Sequence, residues 1–350
     1  MTTPVVTFFN NKGGVGKTTL VYHLAWMLNE LGVRVVAIDL DPQANLTASF
    51  LDDEQVEKLW ADSHRRTVYG ALEPLFGGTG GIEDPYVEEV AASLGLVPGD
   101  LLLSGTEQEL SIAWPTSQGR GISAVRAFAV TTAFWTLTQR AASQADADIV
   151  LVDVGPNLGA LNRAVMIASD HVVVPLAPDL YSLQGLRNLG PTLADWRHDW
   201  ETHLASKPDP GLEAPAGEMR PRGYVVLQHG TRVDRVVGAY DRWLQQVPAE
   251  YRRSVLQEPV SDPPRAADDE YCLGLLKHYH SLAPLAQEAR KPLFLLRSAD
   301  GAIGAHQQSV RDAYGHFEAL ARRLLDTLGI PELHSGHQRV MPCRSRCEAR

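Results

Sequence analysis

The stretch FFNNKGGVGKTT, Phe8 to Thr19, holds two lysines and three glycines within twelve residues. Gly13, Gly14 and Gly16 let successive backbone N–H groups turn inward on phosphate oxygens with no Cβ in the way. A helix beginning near Lys17 directs the positive end of its dipole at the same point. The pattern nearly matches the phosphate-binding loop G-x-x-x-x-G-K-[ST]. Gly16, Lys17 and Thr18 fit, and Asn11 stands where the first glycine belongs. In such a loop Lys17 meets the β- and γ-phosphates of a nucleotide, the Thr18 hydroxyl suits Mg²⁺, Thr19 reaches the α-phosphate, and Val15 lends its backbone. Lys12, five residues before Lys17, has no place in that pattern.

A phosphate loop also needs a carboxylate to hold Mg²⁺, carried on another buried strand. The run IVLVD ending at Asp153 has that form, and DLDPQAN adds Asp39 and Asp41. Open α/β sheets bind ligands at the carboxyl ends of their strands, so all three acids are expected at one site. Of Asp39 and Asp41, one is expected to face Mg²⁺ and the other an attacking water. The plainer reading of Asp153 is an ordinary strand-end acid, and the loop weighs against it.

These residues need a particular scaffold. Val5 to Phe9 is a short β-branched and aromatic run, hence a buried strand. TTLVYHLAWMLNELG has apolar residues at helical spacing and stops at Gly32, a C-terminal cap. Val33 to Ile38 is a second strand, making a βαβ unit and implying a parallel sheet. Further along, ISAVRAFAVTTAFWTLTQRAAS is expected as one long helix, and HVVVPLAP as a strand. LQGLRNLGPTLADWRHDWETHL is read as a helix kinked at Pro191, YVVLQH as a strand, and Val233 to Val247 as a helix. EYCLGLLKHYHSLAPLAQEA is read as helix, PLFLL as a late strand, and HQQSVRDAYGHFEALARRLLDTLG as the closing helix. The fold class is therefore α/β, a P-loop NTPase with a mostly parallel twisted sheet and helices on both faces. The expected organisation is one domain over 1–330, with insertions near 52–84, 205–222 and 259–281, and a disordered tail over 331–350.

The chain has 350 residues, three cysteines and a formal net charge of −10, so neither a disulfide framework nor a wholly basic DNA-binding surface is expected. Cys343 and Cys347 make a C-x3-C pair without the second pair or histidines that a zinc site needs. No run of 18 apolar residues occurs and the N-terminus lacks a leader pattern, so a cytoplasmic location is expected. Trp26, Trp135 and Trp196 lie in helical patterns and read as packing residues. KHYH, Lys277 to His280, reads as a solvated helix face.

NKGGVGKTT resembles the deviant Walker A motif, xKGGxGK[ST], of the ParA/MinD ATPase family. DLDPQANLT resembles the switch I box of its ParA branch. IVLVDVGPNLGALNRAVMIASDHVVVPLAPDLYSLQGL resembles its Walker B strand, switch II and following strand, and similarity extends over most of 4–329. The resemblance implies Mg²⁺-dependent ATP hydrolysis. It implies a homodimer formed on ATP binding, with two nucleotides sandwiched face to face. Lys12 would then reach across to the partner's phosphates, Asp41 would position the attacking water, and Asp153 would be the Walker B acid. It also implies a cargo-bound, ParB-like activating partner, partition or positioning of DNA or another cargo on non-specific DNA, and association with the nucleoid.

This chain departs from the family in several places. Where the family has two prolines after the Walker B acid, it has Gly155 and Pro156. VLQHGTRVDR aligns with a DNA-contacting segment, making Arg232 and Arg235 the candidate DNA-binding residues. The second basic patch of the family falls on the longer, acidic stretch around 259–281. The C-terminal tail has no apolar stripe, so the membrane-binding branch is not expected. The alternative is an ATP-dependent dimerisation switch of the same fold that recruits or regulates a protein partner without a DNA track.

Overall fold

The computed structural model describes residues 2–61, 63–229, 237–279 and 281–331. In chain order it runs β1 (Val5–Phe8), α1 (Lys17–Glu30), β2 (Val35–Leu40), α2 (Asn45–Phe50), α3 (Asp53–Ala61) and α4 (Val68–Phe76). β3 (Glu88–Ala91), β4 (Leu94–Val97), α5 (Glu107–Thr116), α6 (Ile122–Thr131), α7 (Ala133–Gln144) and β5 (Ile149–Val154) follow. Then come α8 (Ala160–Ile167), β6 (His171–Leu176), α9 (Leu180–Ala205), β7 (Arg220–His229), α10 (Val237–Leu244) and α11 (Val247–Glu250). β8 (Cys272–Lys277), α12 (Ala283–Ala289) and α13 (Ala305–Leu328) close the chain.

The eight strands form one sheet in the order β3-β4-β2-β5-β1-β6-β7-β8, parallel throughout except for β3 against β4. Strand residues alternate between two cores, as the pleat requires. Val36, Ile38, Val150 and Val152 face the core shared with α4 to α9. Val35, Ala37, Ile149 and Leu151 face the core shared with α1 and α13. Burial on both faces explains why β1, β2, β5 and β6 read as largely apolar runs and not as polar–apolar alternation.

The expected long helix over 122–143 is two helices, α6 and α7, which meet at Thr132. α9 runs through Pro191 without interruption. The segment read as helix from 270 is instead β8, and among the described residues beyond it Ala283–Ala289 is helical. An apolar run as short as CLGLLK fits a strand or a helix by periodicity alone, and here it completes the sheet beside β7. PLFLL forms a 3₁₀ turn, Leu293–Leu295, instead of a strand. Of the helix read over 233–247, the described part is α10 and the start of α11. Trp196 is buried, and Trp26 and Trp135 pack against the two cores. No helix among the described residues is long and apolar enough to cross a membrane. Residues 332–350, with Cys343 and Cys347, lie outside the described residues, as do Arg232 and Arg235.

Candidate active site

Between β1 and α1 the chain turns through the glycine loop. Gly14 and Gly16 have φ of 73° and 92°, the left-handed region that favours glycine. α1 starts at Lys17 with Gly16 as its N-cap, no side-chain cap and no acid in its first turn. The first-turn N–H groups of a helix have no partner within the helix, so this end is suited to an anion. A Cβ at Gly13 or Gly14 would meet nothing within 4 Å, so both open onto free space. Asn10 shapes the loop from behind: its Nδ2 donates to Pro175 O (2.6 Å) and its Oδ1 accepts from Lys12 N (2.8 Å). Sequence reasoning passed over Asn10, because its partner on β6 is distant in the chain.

Strand alternation and register set the acids. Asp153 follows Ile149 and Leu151 onto the α1 side of β5, and Asp39 follows Val35 and Ala37 onto the same side of β2. The two are paired in register on adjacent strands. Lys17 Nζ forms a buried ion pair with Asp153, and the Thr18 hydroxyl donates to the other oxygen of that carboxylate at 2.6 Å. Burial pushes the Asp153 carboxyl above its usual range, against the pull of Lys17 and Thr18.

Asp39 is wholly enclosed. Its Oδ2 accepts from both Thr47 N (2.8 Å) and Thr47 Oγ1 (2.7 Å), and its Oδ1 faces Asp41 N at 3.3 Å. Burial, then the neighbouring Asp153 charge, push its carboxyl from 3.8 up to about 7. Thr47 also accepts from Gly99 N at 2.7 Å, joining β2, α2 and the end of β4. As placed, Asp39 braces the site from beneath. Asp41 lies just past β2 in a turn, 7% exposed, and its Oδ1 accepts from Gln43 N (3.0 Å). A Cβ on Gly155 would stand 3.5 Å from Asp41 Oδ1, so the loop after β5 lies directly against Asp41. Asn162 holds that loop, donating to Gly155 O (2.8 Å) and Asn157 O (2.6 Å).

The structure brings Lys17, Thr18 and Asp153 together and sets Lys12 apart. Lys12 Nζ pairs with Asp179 beside α9, both about one-third exposed, and lies 5.8 Å from the centre of the Tyr181 ring. Asp179 also caps α9, accepting from Ser182 N at 2.9 Å. Burial raises the Asp179 carboxyl, but the bonds from Lys12 and Ser182 outweigh it and hold it below the usual range.

Beside the loop lies a largely apolar cavity of about 240 Å³. Its lining includes Gly16 and Thr19 of the loop and α1, Leu227 of β7, Leu276 of β8, and Leu293 and Phe317. Lys277, the last residue of β8, and His278 and Tyr279 after it also line the cavity, so these residues of KHYH are not a helix face. The cavity was not legible in the sequence because its walls come from segments far apart in the chain.

The donors fit Mg²⁺ held together with phosphates. Among the described residues no group of three or more His, Cys, Asp or Glu side chains could hold a metal by itself. Mg²⁺ typically takes one or two carboxylates and completes its shell with phosphate oxygens and water, and Thr18 with Asp153 match that demand.

Residues 3–206 match the family model AAA_31, described as an AAA domain. The chain is 31% identical over 189 residues to the chromosome partitioning protein ParA of Caulobacter vibrioides, covering 54% of this chain and 61% of that one. It spans 45–62% of the length of the curated relatives IncC, ParA and Soj. Among solved structures, protein DIP2308 from Corynebacterium diphtheriae superposes with a TM-score of 0.65 at 24% identity, covering 93% of this chain and 98% of that one. The pNOB8 ParA bound to nonspecific DNA superposes with a TM-score of 0.54 at 17% identity, covering 93% and 99%. The chain belongs to the ParA/MinD family of P-loop ATPases.

Proposed function

We propose that this ParA/MinD-family chain is a ParA-like ATPase that closes into an ATP-sandwiched dimer and hydrolyses ATP slowly to partition or position a cargo. The observation that carries the reading is the Lys17–Thr18–Asp153 cluster at the open, uncapped start of α1. On binding nucleotide, Lys17 would leave Asp153 for the β- and γ-phosphates. Thr18 and Asp153 would hold Mg²⁺, which when bound neutralises charge between those phosphates. Asp41, beside Gly155, would orient the attacking water. The neighbouring cavity would take the base.

Dimerisation has support of its own. Leu101 and Leu102 after β4, Leu158 after β5, and Leu180 and Tyr181 after β6 are exposed beyond the strands' carboxyl ends, and Tyr181 lies beside Lys12. A second copy seated there would cover that apolar rim and bring its own Lys12 to the facing phosphates, where a desolvated cation is most effective.

The pNOB8 ParA complex with nonspecific DNA supports a DNA track for this chain. The net charge of −10 favours a second reading, a dimerisation switch that engages a protein partner without DNA. Duplex DNA binding by Asp41→Ala protein, with ATP, ADP or no nucleotide at two salt concentrations, tests the two. Binding that requires ATP and weakens steeply with salt is the expected outcome. An ATP dimer that ignores DNA at both salts would leave the protein-partner switch.

A further inference from the structure

His23 sits on α1 one turn beyond Thr19 and is 5% exposed. Its ring touches the cavity wall from behind at three places. Leu293 N–H points at Nε2 (3.2 Å), and Nδ1 lies 2.7 Å from Thr19 O. The ring also stacks on Phe317, with centroids 4.9 Å apart and planes 17° apart. Thr19, Leu293 and Phe317 all line the cavity, while His23 does not. The tautomer follows from the partners: a backbone N–H can only donate, so Nε2 accepts, and Nδ1 carries the hydrogen and gives it to the carbonyl. The ring is neutral in that arrangement. Burial agrees, pulling its pKa from 6.5 to about 4.

We propose that His23 is a positioning residue for nucleobase binding, tying the 3₁₀ turn at Leu293 and the Phe317 face of α13 to the phosphate-loop helix. The two halves of the nucleotide site are built by distant parts of the chain. The phosphate half belongs to β1, α1 and β5, and the far wall of the base half to β7, β8, the turn at 293–295 and α13. His23 bonds both halves in one ring. A purely apolar side chain here would fill the space but leave the Leu293 N–H buried without a partner. This inference rests on the reading of the cavity as the base site.

The test uses the full chain with Mg²⁺ and two ligands, ATP and inorganic tripolyphosphate, the second lacking a base. His23→Phe keeps the stacking and removes both bonds. It is expected to weaken ATP binding about tenfold, from one unsatisfied buried donor and a displaced wall, with tripolyphosphate affinity changed by less than about twofold. His23→Gln, whose amide oxygen reaches the Leu293 N–H, should recover most of the loss. His23→Asn, which reaches only Thr19 O, should behave like His23→Phe. Equal weakening of both ligands, or equal ATP affinity in the Gln and Asn variants, would overturn the proposal. If the unaltered protein binds ATP no more tightly than tripolyphosphate, the base-site reading fails first and the proposal with it.

Discussion

The inner end of the glycine loop and its rim each hold a lysine on an aspartate, but the two pairs are built for different work. Lys17 is 8% exposed on a fully enclosed Asp153, set by strand register and a helix start. Lys12 is 31% exposed on Asp179, held beside an exposed tyrosine at a surface edge. A buried pair is costly to break from one side, whereas a half-exposed pair contributes little and opens readily. The inner pair therefore yields only to a strong competing charge, such as a phosphate, whereas the outer pair suits a side chain that changes partner readily.

Removing each lysine should separate the two regions. Lys17→Ala is expected to lower ATP affinity about 100-fold or more and to destabilise the fold by about 3 kcal/mol, because Asp153 loses its partner. Titration calorimetry and melting check both, and ATP affinity near that of the unaltered protein would remove Lys17 from the site. Lys12→Ala should keep ATP affinity within about threefold, since its present contact is a solvent-screened pair, and should lose ATP-dependent dimerisation. Light scattering decides this. Normal ATP dimers in Lys12→Ala protein would show that both lysines serve their own subunit.

A smaller effect is expected from Asp179→Asn, since asparagine caps a helix about as well as aspartate but cannot hold Lys12 by charge. Dimers should form with ATP at about two- to fivefold lower protein concentration. An unchanged concentration dependence would mean that the rim pair exerts no restraint. The smallest effect belongs beneath the inner pair. Asp39 keeps its proton up to about pH 7 when folded and loses it near 3.8 when unfolded. Its stabilising contribution is thus complete below pH 4 and disappears as pH rises through 7. In nucleotide-free protein, Asp39→Asn should flatten the melting temperature between pH 4 and 8. An equal slope in both proteins would rule out Asp39 as the source.

The inner region was the more legible of the two in the sequence. Glycines, Lys17 and Thr18 are adjacent in the chain, and Asp153 ends a strand whose register is fixed by burial on both faces. At the rim, the sequence showed that Lys12 was surplus to its own loop, but its partner Asp179 lies 167 residues away and carries no motif. The base side was misread for a related reason. CLGLLK is too short for periodicity to distinguish a strand from a helix, and the PLFLL turn takes its place from His23 and α13, not from local propensity. Asp39 was read as facing metal or water because it ends a strand. The sequence did not show that Thr47, eight residues on, donates twice to one of its carboxylate oxygens.

Asp179 holds Lys12 with one oxygen and the first turn of α9 with the other. The lysine can therefore depart while the helix keeps its cap, so opening the pair need not fray α9. The arrangement works as a hook fixed to a beam: what hangs on it can be lifted off and put back, and the start of α9, with Leu180 and Tyr181 exposed on it, stays in place.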